Sequence, residues 1–181
     1  MEKMEKMVRP LPELQVTKCL IPAWRDIPNT SLQSKPLLIY HSVFDFASSD
    51  EVRKHLDTVG AVTPQWTYSM YTTDHFHSTT HEVLGVVAGR AKLCFGHEQN
   101  PDRYEPTVSR GDVIIVPAGV SHRLLEDVDG GFAMVGAYPP GKQWDMCYGG
   151  EEDAGKVDSV KSVRWFDRDP VYGHSGPVFD V

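Results

Sequence analysis

The stretch DHFHSTTHEVLG, residues 74–85, places three histidines and a glutamate close together, immediately before a run of apolar residues. The whole chain contains only eight histidines. Imidazole and carboxylate groups together are good ligands for divalent transition-metal ions. The stretch therefore predicts a metal site, provided that the fold brings these side chains together.

Alternation along a strand predicts which of these side chains share a face. Alternate residues of a strand point to the same side, so His75 and His77 point together, along with Tyr71 and Thr73. Further ligands must come from elsewhere, and His122 is one candidate because it follows the turn-forming sequence Pro-Ala-Gly. A glycine-containing turn before a strand would aim that histidine at one end of the fold.

The fourth ligand is left open by periodicity alone. Strict alternation from His77 turns His81 inward and Glu82 outward. A turn or bulge in Ser78-Thr79-Thr80 would reverse this and make Glu82 the ligand. Without such a break, His81 takes the position.

The pattern of short apolar segments predicts an all-β fold. From residue 63 the chain consists of runs rich in β-branched and aromatic residues, separated by Gly, Pro or Asp about every ten positions, which favours an antiparallel sandwich or small barrel. These runs are TPQWTYSMYTT, EVLGVVAG, RAKLCFG, DVIIVPAG, VSHRLLE and GFAMVGAY. One helix is predicted at residues 48–60, where a serine can cap the start and a glycine the end.

The chain is predicted to form one domain with an extended N-terminal arm. Residues 1–35 are proline-rich and lack periodicity, so we expect an arm there and a single domain over 36–181. Within that domain, the core barrel spans about 63–140. Residues 141–181 hold short apolar runs among Gly, Pro and Asp, and we expect them to wrap back over the barrel.

Composition excludes several classes of function. The net charge of −7 and the absence of a Lys/Arg run argue against nucleic-acid binding. Three widely spaced cysteines favour a reducing compartment. The sequence shows neither a secretory leader nor an apolar run long enough to span a membrane. We therefore expect an intracellular, cytoplasmic protein with no membrane or nucleic-acid partner.

Two sequence motifs resemble those of the cupins. The first is His75-x-His77, four residues, Glu82, six residues and Gly89; the second runs from Gly111 through Pro-x-Gly to His122. One position departs from the family pattern, since Glu126 stands where cupins usually have asparagine. A closer resemblance is to the YjlB-like single-domain cupins. It is carried by IPN (27–29), PLLIY (36–40), HFHSTTHEVLGV (75–86), GDVIIVPAGVSH (111–122), VGAYPPG (135–141) and DPVYG (169–173).

The resemblance implies a single cupin barrel, that is, a double-stranded β-helix or jelly roll. It also implies one divalent metal ion held by His75, His77, Glu82 and His122. Three imidazoles and one carboxylate suit Fe, Mn, Ni or Zn. Cupins commonly pair through strand or arm exchange, so we expect a homodimer.

The surroundings of the predicted metal indicate an apolar pocket for a small molecule. Alternation places Leu84, Val86, Leu93, Phe95, Val120, Leu124, Phe132 and Met134 on its walls. Trp66 and Tyr68 have the opposite parity unless a bulge intervenes. No Arg or Lys is aimed at the metal, which favours a neutral or singly anionic substrate.

Three functions follow from this site. The first is a metal-dependent oxidoreductase of the dioxygenase type, in which Glu82 detaches from the metal or accepts a proton and Tyr71 is a second acid or base. The second is redox-neutral catalysis by a metal-dependent isomerase, decarboxylase or cyclase. The third is a non-catalytic small-molecule binder.

Overall fold

The computed structural model describes residues 7–45 and 48–181, and within them the chain is built mainly of antiparallel strands. The predicted arm lies partly outside these ranges, at residues 1–6. The strands are β1 (Gln15–Cys19), β2 (Leu37–His41), β3 (Thr63–Tyr68), β4 (Glu82–Ala88), β5 (Arg90–Phe95), β6 (Thr107–Ser109), β7 (Val113–Val116), β8 (His122–Asp127) and β9 (Ala133–Tyr138). Helices are few: α1 (Ser49–Val59), α2 (Ala154–Val157) and the 3-10 segments Leu11–Glu13, Glu151–Asp153, Asp158–Ser162 and Pro177–Asp180.

The described strands form two antiparallel sheets. The larger sheet has the order β1-β2-β7-β4-β9-β3, and the smaller one has the order β6-β5-β8. This arrangement confirms the predicted all-β class and is consistent with the predicted jelly roll. Among the described residues no helix is both long and apolar enough to cross a membrane.

Both faces of the larger sheet are buried, which explains its nearly continuous apolar strands. Leu37 and Ile39 on β2 face the smaller sheet, together with Ile114 on β7, and join one core cluster. Their neighbours Leu38 and Tyr40 point the other way, into a second cluster. A strand that is covered on both sides reads as an unbroken apolar run, as VIIV does in β7.

The predicted helix begins and ends where its sequence indicated. Ser48 caps α1, since its side chain accepts from the backbone N–H of Glu51 while the Glu51 side chain accepts from the N–H of Ser48. Gly60 ends it in a left-handed conformation. Val52 and Leu56 bury the apolar face against the larger sheet. The one-turn helix α2 is too short to give a periodic signal.

Part of the predicted arm pairs with the domain. Residues 15–19 form β1, which is hydrogen-bonded along its length to β2 at the edge of the larger sheet. Asn29 reaches deeper, because its side-chain amide donates to the carbonyls of Pro22 and Gly96 and its oxygen accepts from the N–H of Ser121. These contacts tie residues 22–29 to the loop that leads into β8.

Candidate metal centre

The three predicted histidines meet between the two sheets. His75 and His122 exchange backbone hydrogen bonds of 3.2 and 2.8 Å, and their ring centroids lie 4.3 Å apart. His77 is one step further along, with its ring 5.2 Å from that of His122. All three are buried, and one ligand atom from each lies within 4.8 Å of the others. Within the described residues, these three histidines form the group of His, Cys, Asp or Glu side chains that could hold a metal ion.

The local backbone differs from the regular strand that the sequence predicted. Only His75 and Phe76 take part in β-type pairing, through single bridges to His122 and Cys147. His75 and His77 nevertheless point to the same place, as alternation indicated. Gly119 helps to aim His122 from the other side, since it has a φ of +90° and a Cβ there would approach Pro28 to 2.9 Å.

Each imidazole is anchored through one nitrogen. The Nδ1 atoms of His75, His77 and His122 lie 2.8, 2.5 and 3.0 Å from the backbone carbonyls of Thr73, Asp145 and Val120 respectively. A carbonyl can only accept, so each Nδ1 carries the proton and each Nε2 is left with a free lone pair. This is the tautomer that a metal ligand requires, with its orientation set by a second contact.

The Glu82 carboxylate lies beside two of these imidazoles. Its Oε2 is 3.3 Å from the Nε2 of His122, and its Oε1 is 3.5 Å from the Nε2 of His77. Glu82 opens β4 on the same face as Leu84 and Val86, which belong to the core cluster between the sheets. The strand is therefore interrupted at Ser78 and Thr79, where the backbone bends, and Glu82 points into the centre.

His81 points away from the centre. It is fully buried, its Nδ1 accepts from the N–H of Ala118, and its ring packs edge-on against Trp165 and beside Phe166. The C-terminal segment covers it on the far side of the larger sheet. His81 is a core residue in this structure and is not exposed at the surface.

Burial and neighbouring charge set the protonation of the centre. Burial lowers the pKa of His75 to about 3, with a further contribution from nearby His122. Burial alone would raise the pKa of Glu82, but His77 and His122 outweigh it and hold that pKa well below the usual value. The pKa of His77 is raised, because the Glu82 carboxylate outweighs the effect of burial. Glu82 is therefore ionised and His75 neutral, the forms that bind a metal.

Two residues that the sequence analysis did not assign to the site, Tyr138 and Trp66, hold the Glu82 side chain through a chain of hydrogen bonds. The hydroxyl of Tyr138, at the end of β9, donates to Glu82 Oε1 at 2.8 Å, and it accepts from the indole N–H of Trp66 at 2.9 Å. Strand β3 ends at Tyr68, so the alternation counted back from His75 does not continue through residues 69–74. The parity predicted for Trp66 and Tyr68 therefore does not hold, and both line the cavity.

Asp145 holds the loop between His77 and Glu82, two of the candidate metal ligands. Its carboxylate accepts from the N–H and the hydroxyl of Ser78, and its backbone carbonyl is the partner of His77 Nδ1. Asp145 lies in the predicted C-terminal wrap, where no periodic pattern marked it. Its role depends on a contact 68 residues along the chain, which local sequence cannot reveal.

The centre lies in a cavity of about 340 Å³. Its walls include Met70, Leu84, Met134, Trp144 and Met146. Several predicted wall residues lie instead in the core cluster between the sheets or pack against it, namely Val86, Leu93, Phe95, Val120, Leu124 and Phe132. Tyr71 does line the cavity, with its ring 5.7 Å from that of His75 and about half of its surface exposed.

The donor set fits a divalent metal ion. His77 Nε2 and Glu82 Oε2 are buried with no hydrogen-bond partner, and both point into the space between the imidazoles. Buried polar atoms without partners are rare in proteins and call for a ligand or water. The anchored tautomer of His77 leaves its Nε2 free, and Tyr138 bonds the other oxygen of Glu82, Oε1.

Two antiparallel sheets with three converging imidazoles beside a carboxylate place the chain among β-sheet proteins with a possible metal site. Comparison with known proteins gives the family. The Cupin family model matches residues 55–136, and the chain is 29% identical over 147 residues to the uncharacterized protein YjlB of Bacillus subtilis (strain 168). That match covers 81% of this chain and 85% of YjlB. Residues 55–136 thus match the family that the motifs resemble.

Solved structures are more distant. Acireductone dioxygenase from Bacillus anthracis, with a cadmium ion in its active center, is 17% identical with a TM-score of 0.44, and the match covers 75% of this chain and 83% of that one. The Momordica charantia 7S globulin is 18% identical with a TM-score of 0.37, over 62% of this chain. The matched part spans 32% of the globulin. Neither likeness bears on activity, because both TM-scores are low.

Proposed function

We propose that this protein is a metal-dependent enzyme acting on a small organic molecule. His75, His77, Glu82 and His122 would hold one Fe, Mn, Ni or Zn ion. The observation that carries the proposal is the shared tautomer: three buried imidazoles each donate Nδ1–H to a carbonyl and leave Nε2 free beside a buried carboxylate. In a polar network without a metal, the buried Nε2 of His77 would have no hydrogen-bond partner.

The reaction we favour is oxidation of the dioxygenase type. When bound, such an ion supplies Lewis acidity and, for iron, manganese or nickel, dioxygen chemistry. If these four residues hold the ion, a substrate oxygen could bind it from the cavity side. The chain's own residues exclude water, since the cavity wall is largely apolar and its polar groups gather around the histidines.

Proton handling falls to two tyrosines and the glutamate. Glu82 can take a proton from substrate while Tyr138 steadies its other oxygen. Tyr71 remains our proposed second acid or base, because it lines the open part of the cavity beside His75. The Tyr138–Glu82 pair also favours a second candidate, redox-neutral catalysis by an isomerase, decarboxylase or cyclase, which needs a proton shuttle and no dioxygen.

Metal content tests the proposal directly. Protein purified without a nickel column should contain nearly one equivalent of iron, manganese, nickel or zinc, measured by mass spectrometry. His77→Ala should lose it, while His174→Ala, an exposed histidine outside the centre, should keep it. Wild-type protein that cannot be loaded with any of these metals would contradict the proposal and favour the non-catalytic binder.

Dioxygen uptake then separates the two reactions. Once a turned-over substrate is found, stoichiometric oxygen consumption supports the dioxygenase, and product formation under nitrogen supports the redox-neutral enzyme.

We also propose a cytoplasmic homodimer. Strands β1 and β3 are the two edges of the larger sheet and are largely solvent-exposed or half-buried, so each offers backbone groups for pairing. Size-exclusion chromatography with light scattering should give twice the chain mass. A monomer at micromolar concentration would contradict the dimer.

A further inference from the structure

Aromatic rings run from the mouth of the cavity to the metal centre along one wall. The rings of Tyr68 and Tyr71 have centroids 6.0 Å apart, and Tyr71 is 5.7 Å from His75, a metal-site imidazole. Each contact has the spacing of a favourable aromatic pair. The wall thus presents π surface continuously from solvent to the centre.

A second set of rings surrounds the neighbouring imidazole. Trp144 lies 5.9 Å from His77 and stacks over Tyr138 at 6.4 Å with an angle of 27° between the ring planes. Trp66 adds a second indole, fixed by its hydrogen bond to Tyr138. Its ring lies directly on the bare backbone of Gly136, where a Cβ would come within 2.1 Å of it. The position of this indole is therefore closely determined.

The outer rings are exposed to a degree that packing does not explain. Tyr68, Tyr71 and Trp144 are 59%, 52% and 39% exposed. None of them belongs to a core cluster of the described residues. Large apolar groups gathered at a cavity mouth are typical of a surface that binds a ligand.

The charges in the cavity limit that ligand. Among the described residues that line it, the charged or readily charged groups are the three histidines and Glu82, with no Lys or Arg. A divalent ion beside one carboxylate leaves a single net positive charge. A phosphate or polycarboxylate would find no further counter-charge, whereas one phenolate, enolate or carboxylate would.

We propose that the ligand of this site is a planar aromatic molecule of one or two rings, bearing at most one negative charge. It lies against the π surfaces of Tyr71 and Trp144 and directs its polar group to the metal centre. The cavity of about 340 Å³ is at the small end for ligand sites, which agrees with that size. This inference rests on the proposed function, because it names the substrate class of the same site.

Matched probes separate aromaticity from charge and size. Binding of 2-naphthoate, its saturated decahydro counterpart and 2-naphthyl phosphate is measured by calorimetry on metal-loaded and on EDTA-treated protein. The aromatic carboxylate should bind at least about tenfold more tightly than the saturated one, since favourable ring contacts are worth about one factor of ten. The phosphate should bind more weakly than the carboxylate.

Variants place the binding in this cavity. Trp144→Leu keeps an apolar side chain without the indole and should weaken 2-naphthoate binding by about tenfold. Trp24→Ala, a tryptophan outside the cavity, should leave it unchanged. Equal binding of the aromatic and saturated carboxylates, or preference for the phosphate, would overturn the inference.

Metal content of the same samples keeps the two proposals apart. Protein that holds its metal but shows no aromatic preference retains the proposed function and refutes the substrate class. Protein that binds 2-naphthoate through Trp144 but never takes up metal supports the aromatic ligand and refutes the enzyme.

Discussion

Single side chains orient this candidate centre through hydrogen bonds at its periphery. Backbone carbonyls accept the Nδ1 protons of the three imidazoles, which leaves each Nε2 free, and Tyr138 donates to Glu82. The motifs pointed to these four candidate ligands. Their supporting partners did not, since backbone carbonyls have no sequence signature and Tyr138 lies 56 residues from Glu82.

Tyr138→Phe should weaken metal binding about 10–100-fold, the usual effect of losing a partner that orients a ligand. The change removes the donor to Glu82 and the acceptor of the Trp66 N–H. A chelator competition titration measures the dissociation constant.

The matched control is Tyr40→Phe, which also removes a buried tyrosine–carboxylate hydrogen bond, here to Asp169. Both variants should lose about 1–3 kcal/mol of stability, but only the first should lose metal affinity. Equal metal affinities in the two would show that Tyr138 acts on stability alone.

At the scale of elements, strand alternation predicted most of the molecule. Strands β4, β5, β7, β8 and β9 lie where the apolar runs indicated, and α1 has its predicted caps. Alternation counted back from the histidines failed across residues 69–74, where no strand connects β3 to His75, and Trp66 lines the cavity as a result. At residues 78–81 alternation left two alternatives, and the interrupted strand there turns Glu82 inward.

Asn29→Ala should lower both stability and metal affinity. The Asn29 side chain bonds the carbonyls of Pro22 and Gly96 and the N–H of Ser121, directly before His122. Losing it leaves the Ser121 N–H without its partner, at a cost of about 1–3 kcal/mol, whereas both carbonyls still accept from the Asn100 amide. Urea unfolding gives the stability, and chelator competition gives the affinity.

Gln33→Ala is the comparison, because Gln33 also bridges distant backbone, at Val160 and Val163, but far from the ligands in the chain. It should lose stability and keep metal affinity. If Asn29→Ala binds metal as the wild type does, the loop before β8 does not depend on this brace.

For the whole molecule, metal binding and folding should be coupled. The ligands come from widely separated parts of the chain, at residues 75–82 and 122, so the unfolded chain offers no comparable site. A ligand that binds only the folded state at 100 times its Kd adds about 2.7 kcal/mol.

Removing the metal with EDTA should therefore lower Tm by about 5–10 °C for a chain of this size. Differential scanning calorimetry at fixed protein concentration measures the change. His77→Ala should show no difference between EDTA-treated and metal-supplemented samples. An unchanged wild-type Tm on removal of bound metal would mean that the centre and the fold are energetically independent.

The hydrogen bond from His77 to the carbonyl of Asp145 has a consequence for how the protein is made. During translation, His77 is synthesised well before Asp145, which lies 68 residues later in the chain. All four candidate metal-site side chains, His122 included, precede Asp145. Before Asp145 is made, Gly119 can hold the His77 backbone, but the His77 ring and Ser78 lack the partners that Asp145 provides. A nascent or C-terminally shortened chain would thus carry these side chains without the contact that orients His77, and we expect full metal affinity only once synthesis has passed the barrel.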